Sequence, residues 1–304
     1  MRKAFTSSIE KLAADDRILF VTGDLGYNAF ENLRDIMKDR FINAGVAEQN
    51  MIGVAAGLAH KGYKVFCYSI APFTTYRCLE QIRIDVCFHQ LPVFIIGNGG
   101  GYGYGIMGAT HHAISDIACM SSLPDLTSYV PAFIEDVALS ITEMVKNGKP
   151  AYLRLGQGKN NPSVQKDMEC INPVFVSPEA EVTLIALGPS INNAIDAIEA
   201  SGLKNKINLF SAVKIPFDNF EGAFLKSIQK TKKLLVIEEH VSRGGIGEFI
   251  ALNCLSIGLE LDKFRSLCAA GYPDKQYGDQ NFHQVQSGLD KDSILQLICD
   301  WLKR

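Results

Sequence analysis

Glu48 is the one carboxylate in residues 41–57, Phe-Ile-Asn-Ala-Gly-Val-Ala-Glu-Gln-Asn-Met-Ile-Gly-Val-Ala-Ala-Gly, and its neighbours are small or apolar. An ionised carboxyl is costly to bury unless it meets a ligand or a paired group, so its presence here asks for one. A carboxyl held in that way can take up and return a proton. The competing reading is a Glu that opens a helix and still reaches solvent.

Other residue patterns offer less chemistry. The eight cysteines, at 67, 78, 87, 119, 170, 254, 268 and 299, form no C-x-x-C pair and mostly sit among apolar residues. That distribution reads as reduced core packing, with neither a disulfide framework nor a zinc site. Gly244-Gly245-Ile246-Gly247 follows Glu238-Glu239-His240 and is a tight turn into a helix. It fails as a dinucleotide motif because G-x-G-x-x-G is incomplete and no acidic residue follows at the required distance. Close packing of a strand against a helix explains it.

The elements that must carry Glu48 follow from the apolar runs. Residues 18–21, 65–68, 93–96 and 151–153 are short and apolar, as strands buried on both faces are, and amphipathic stretches such as 132–147 alternate with them. This is the pattern of a parallel sheet wrapped by helices. Gly156, Gly158, Asn160, Asn161, Pro162, Pro173 and Pro178 then punctuate a polar segment, which marks a linker. The rhythm resumes with a strand at 182–187, a Gly188-Pro189-Ser190 turn whose Ser can cap, a helix at 191–200, and strands at 207–210, 234–237 and 267–270. The fold class is α/β in two consecutive domains, 1–160 and 181–304, joined by a linker at 161–180.

Composition narrows the function classes. The chain has 304 residues, 47% hydrophobic and 21% charged, with a formal charge of -3 and a pI near 6.1. It carries no basic block for nucleic acid or anionic lipid. No signal core follows Met1, and no run of about eighteen apolar residues suits a membrane span. The expectation is a cytoplasmic enzyme.

Taken together, residues 41–59, 69–83, the Gly-rich loop ending Gly108-Ala109-Thr110-His111-His112, and Glu238-Glu239-His240 with Gly244-Gly245 resemble the transketolase superfamily. The likeness is closest to the smaller, C-terminal subunit of a split transketolase and covers nearly the whole chain. It implies a pyrimidine-binding domain followed by the family's C-terminal domain, with thiamine diphosphate as cofactor. The family holds Mg²⁺ and the diphosphate in a separate domain bearing Gly-Asp-Gly and a later Asn. Gly23-Asp24-Leu25 only imitates that motif, since Leu25 replaces the Gly and one carboxylate cannot satisfy a hard cation. The resemblance therefore implies no metal ligand here. It implies Mg²⁺ on a large N-terminal partner subunit, with two copies of each subunit in a heterotetramer.

The resemblance also assigns roles. It makes Glu48 the acid that relays a proton through a pyrimidine ring nitrogen. Ile70, Phe73 and Tyr76 fall where family aromatics embrace that ring; Phe73 and Tyr76 keep the character and Ile70 does not. Asp24 and Leu25 follow a strand at its carboxyl end, where open α/β sheets gather ligands, and match family residues on the thiazolium side. A capping Asp is the alternative. Arg154 and Arg2 match arginines that hold substrate phosphate, Asn28 stands where a hydroxyl-bearing residue assists, and His111 matches a His that bonds sugar hydroxyls. Surface ion pairing for each Arg, and a loop histidine bonded to backbone, are the alternatives.

One segment departs from the family. In the loop 97–107, Met107 lies where an Asp is expected, and glycine or Asn98 where a His is. That puts the ordinary ketose donor in question. The implied activity is transfer of a two-carbon ketol unit between sugar phosphates. A 1-deoxyxylulose-5-phosphate-synthase-like enzyme or a 2-oxo-acid dehydrogenase decarboxylase subunit shares the acid and the fold. A non-catalytic scaffold subunit is the reading outside enzymology.

Overall fold

A computed structural model describes residues 1–26, 28–160, 169–217, 220 and 222–302. Two sheets organise them. The first contains β1 (Ile18–Thr22), β2 (Phe41–Asn43), β3 (Lys64–Ile70), β4 (Val93–Asn98), β5 (Thr127–Tyr129) and β6 (Ala151–Leu155), all parallel. The second contains β7 (Ile171–Phe175), β8 (Val182–Leu187), β9 (Ile207–Ala212), β11 (Lys233–Ile237) and β12 (Lys263–Leu267), in the order β12-β11-β8-β9-β7. Between β9 and β11 the chain returns to the first sheet. There β10 (Lys214–Ile215) pairs antiparallel with β5, giving the order β10-β5-β6-β4-β3-β1-β2.

Alternation along the strands sorts the core. Ile18 and Phe20 pack with Phe5, Leu33 and Ile141 on one face of the first sheet. Leu19 and Val21 pack with Met51, Ile52 and Val86 on the other, in a cluster that continues through Ile185, Leu187 and Phe210 of the second sheet. The two α/β units thus share one apolar seam. It fixes the carboxyl ends of β1, β3 and β4 relative to the second sheet.

Four local expectations change. The helix expected at 132–147 is Asp136–Asn147, because the Asp136 carboxylate accepts the backbone N–H groups of Ala132 at 3.0 Å and Phe133 at 2.9 Å and holds the preceding turn open. Ser190 does not cap its helix; its hydroxyl instead accepts the Glu239 N–H at 3.2 Å. The strand expected at 267–270 is Lys263–Leu267, an edge strand whose exposed Lys263, Phe264 and Arg265 hide it from an apolar-run criterion. Part of the segment taken as linker, Ile171–Phe175, is strand β7, where an edge position beside a bulge tolerates Pro173. Asn161 and Pro162 of that segment lie outside the described residues. Among the described residues no helix is long and apolar enough to cross a membrane.

Candidate functional site

Glu48 is the first residue of the helix Glu48–His60, and its side chain is only 2% exposed at the carboxyl ends of β1 and β3. Gly23, just after β1, makes the room: a Cβ there would lie 3.4 Å from both Glu48 Cγ and Ser69 Oγ. Ser69 Oγ donates weakly to Oε1 at 3.4 Å. The strong partner is Arg77, whose Nη1 donates to Oε2 at 2.7 Å. Glu48 is therefore a paired group, as burial requires.

Arg77 connects the acid to a ring. Its guanidinium carbon sits 4.3 Å from the Phe73 centroid, a cation over an aromatic face. Phe73 in turn meets His111 edge to face at 5.2 Å, and His111 meets Tyr104 at 5.6 Å. Thr110 Oγ1 lies 2.8 Å from His111 Nδ1, while Asn98 Nδ2 donates to the Tyr104 hydroxyl at 2.8 Å. Tyr76 turns aside: its hydroxyl accepts from the N–H and Oγ of Ser115 at 2.9 and 3.0 Å, and burial pushes its ionisation up. Ile70 is buried at the end of β3.

A neighbouring cleft of about 400 Å³ opens beside β1, lined by Thr22, Asp24, Leu25, Phe30, Arg34 and Asn43 among others. Asp24 has φ +56°, and its carboxylate accepts from Asn43 Nδ2 at 2.8 Å. Leu25 gives its carbonyl to Thr22 Oγ1 at 2.8 Å. Asn28, also at positive φ, donates its N–H to Glu31 at 2.6 Å and does not line the cleft. Arg2 is exposed on the first helix, close enough to act on the Tyr68 and Tyr104 hydroxyls.

Arg154 is tied into the fold on one side and borders a cleft on the other. It is 4% exposed; Nε donates to Asp116 at 2.9 Å, and Nη2 donates to the carbonyls of Ala113 at 2.6 Å and Glu239 at 3.0 Å. It joins the two sheets, and with Gln157 and Lys159 it also lines a cleft of about 260 Å³ bordered by Ser190 and Glu239. His112 also points away from His111: its ring nitrogens meet the Gly105 carbonyl at 2.7 Å and the Tyr272 hydroxyl at 2.9 Å. Among the described residues no group of three or more His, Cys, Asp or Glu is arranged to hold a metal.

The structure thus gathers Glu48, Phe73 and His111 on one surface, with Asp24 and Leu25 on the cleft beside it. Arg77 and Tyr104 belong to the first group and were not singled out from sequence. The signal for Arg77 was available: it is the first charge after the uncharged stretch 65–76.

Comparison with known proteins agrees with this architecture. Residues 1–162 match the family described as transketolase, pyrimidine binding domain, and residues 174–262 match transketolase, C-terminal domain. An apulose-4-phosphate transketolase subunit from Phocaeicola vulgatus is 31% identical, across 100% of this chain and 97% of its own length. 1-Deoxy-D-xylulose-5-phosphate synthase from Dehalococcoides mccartyi is 32% identical over 86% of this chain, which spans 40% of that protein. A solved structure titled "Split gene transketolase, inactive beta4 tetramer" superposes with a TM-score of 0.82 at 26% identity, covering 99% of this chain and 97% of that one.

Proposed function

The chain belongs to the transketolase family, and from that premise we propose that it is the thiamine-diphosphate-dependent transferase subunit moving a two-carbon ketol unit between sugar phosphates. It acts with a larger subunit that carries the diphosphate-binding domain and the Mg²⁺ ligands. The full-length similarity to a protein that is itself named as one subunit of a transketolase supports the divided arrangement. The observation that carries the reading is the Glu48 carboxylate, 2% exposed yet linked through Arg77 to the face of Phe73, which in turn meets His111.

These residues fit the aminopyrimidine half of the cofactor. Glu48 supplies a buried carboxylate between Ser69 and Arg77, and Phe73, half-buried, supplies a ring face on the far side of Arg77. They do not fit its charged end, since no metal cluster exists among the described residues. When bound, thiamine diphosphate supplies a carbon nucleophile and an electron sink. Glu48 holds and returns the proton at a ring nitrogen through a carboxylate oxygen. Its apolar surround excludes the water that would compete for that proton. His111, with Nδ1 engaged by Thr110, presents Nε2 to a sugar hydroxyl. Asp24 and Leu25 border the neighbouring cleft on the thiazolium side. Tyr76 supports the ring pocket from behind through Ser115. Arg2 and Asn28 face incoming phosphate and hydroxyl groups at the rim, and Arg154 holds substrate phosphate from the cleft that it lines with Lys159.

Glu48→Gln tests the proposal in the complex co-purified with its partner. Two-carbon transfer from labelled xylulose 5-phosphate to ribose 5-phosphate should fall at least about a hundredfold, the scale of losing an acid/base group. Retained transfer would reject the role of Glu48. The match to 1-deoxyxylulose-5-phosphate synthase favours a second reading, in which pyruvate is the donor. Product from pyruvate with none from xylulose 5-phosphate would establish that alternative.

A further inference from the structure

Arg77 covers both surfaces that the proposed ring site needs. One nitrogen holds the Glu48 carboxylate at 2.7 Å, and the guanidinium plane lies over Phe73 at 4.3 Å. The two partners differ in freedom. Glu48 is 2% exposed, whereas the Arg77 side chain is 42% exposed, so Arg77 is the member that can move. Among the described residues no second cation lies within ion-pair distance of Glu48, and Ser69 and the buried Cys78 thiol are its other polar neighbours. A heterocycle that stacks on Phe73 and shares a proton with Glu48 would meet the guanidinium in its own place. A proton shared on the carboxyl and a cation on the same carboxylate also oppose one another electrostatically.

Resting on the function proposed above, we propose that Arg77 is the counter-ion that holds the pocket before the coenzyme binds. The aminopyrimidine displaces it from both Glu48 and Phe73, so that Arg77 sets the affinity of the subunit for the coenzyme. Arg77 acts through Glu48 and is a positioning residue. It keeps the buried acid paired until the ring arrives. Once released, it swings into solvent on its exposed side.

The test is a titration of thiamine diphosphate, with Mg²⁺, into the complex assembled with the partner subunit and followed by near-ultraviolet circular dichroism. Arg77→Met should lower the Kd about fivefold, the scale of a partly exposed ion pair that no longer competes. In a Glu48→Gln background the same change should alter the Kd by less than about twofold, because the pair it relieves is already gone. Unchanged or weaker binding by Arg77→Met would overturn the proposal and make Arg77 a bystander or an orienting group. Should that variant fail to assemble, Arg77→Gln carries the test with the same threshold. The two readings separate cleanly. If Glu48→Gln loses transfer while the Arg77 variants do not tighten binding, only the counter-ion role fails; if Glu48→Gln stays active, the function itself does.

Discussion

Arg154 Nε lies 2.9 Å from Asp116 Oδ2 with both side chains almost wholly out of solvent, and the Tyr152 hydroxyl donates to the same oxygen at 2.7 Å. Through Nη2 the pair reaches the carbonyls of Ala113 and Glu239, so one buried charge pair joins the two sheets. Breaking a buried pair leaves the survivor uncompensated. Asp116→Ala should cost about 3 to 5 kcal/mol in urea unfolding, whereas Asp116→Leu combined with Arg154→Met should cost much less. Equal losses for the single and double variants would show that the pair itself is not what burial penalises.

Two buried groups give stability opposite slopes with pH. Burial pushes the Glu238 carboxyl up from 4.5 to about 7, against N–H donors from Ile246 at 2.8 Å and Gly247 at 2.9 Å. Between those values the folded chain keeps a proton that the unfolded chain has lost, so stability falls as pH rises through the window. The total is on the order of 3 kcal/mol. Burial takes His112 down from 6.5 to about 4, so there the unfolded chain holds the extra proton and stability rises with pH. Unfolding free energies at pH 5 and pH 8 should therefore diverge between variants. Glu238→Gln should gain stability at pH 8 relative to pH 5 compared with the native chain, and His112→Asn should do the reverse.

The sheet strands were legible wherever a strand is buried on both faces. Residues 18–21, 65–68, 93–96 and 182–187 read as apolar runs because helices cover them on each side. β12 escaped because its edge position leaves Lys263 to Arg265 in solvent, and β10 because two residues carry no period. In the site, Glu48 was legible because a lone carboxylate among small residues is an energetic contradiction that needs a partner. That partner was not legible: Arg77 lies twenty-nine positions away and meets Glu48 only once a separate turn folds back. Arg154 is a parallel case. Its type suits phosphate, but its buried partner Asp116, thirty-eight positions away, is not legible from type or spacing.

Adjacent histidines should respond differently. His111 is half-buried with one ring nitrogen on Thr110, while His112 is 2% exposed and wedged among Tyr102, Tyr272 and His283. His111→Ala should lower kcat/KM for sugar transfer about tenfold or more, the loss of a hydrogen bond to substrate, with little change in Tm. His112→Ala should instead lower Tm by several degrees, because it leaves the Tyr272 hydroxyl and Gly105 carbonyl without their partner. Activity and melting measured on both variants decide the assignment. A His111 variant that transfers normally would remove that residue from the site.

Gly101 couples the loop of the first sheet to the second. It has φ +66°, and a Cβ added there would overlap Glu239 Oε1. That oxygen accepts the Tyr102 N–H at 2.6 Å, and the Glu239 carboxylate also takes Gln280 and Gln284 amides, so it has no room to yield. Gly101→Ala combines left-handed strain with that overlap, and the two together should cost about 2 to 4 kcal/mol. The loop also carries Tyr104 and His111, so transfer activity should drop with stability. A variant at Gly148, which has φ +60° but no atom within 4 Å of an added Cβ, isolates the strain alone. Urea unfolding of Gly148→Ala should show about 1 kcal/mol; an equal loss at both positions would mean that contact with Glu239 adds nothing.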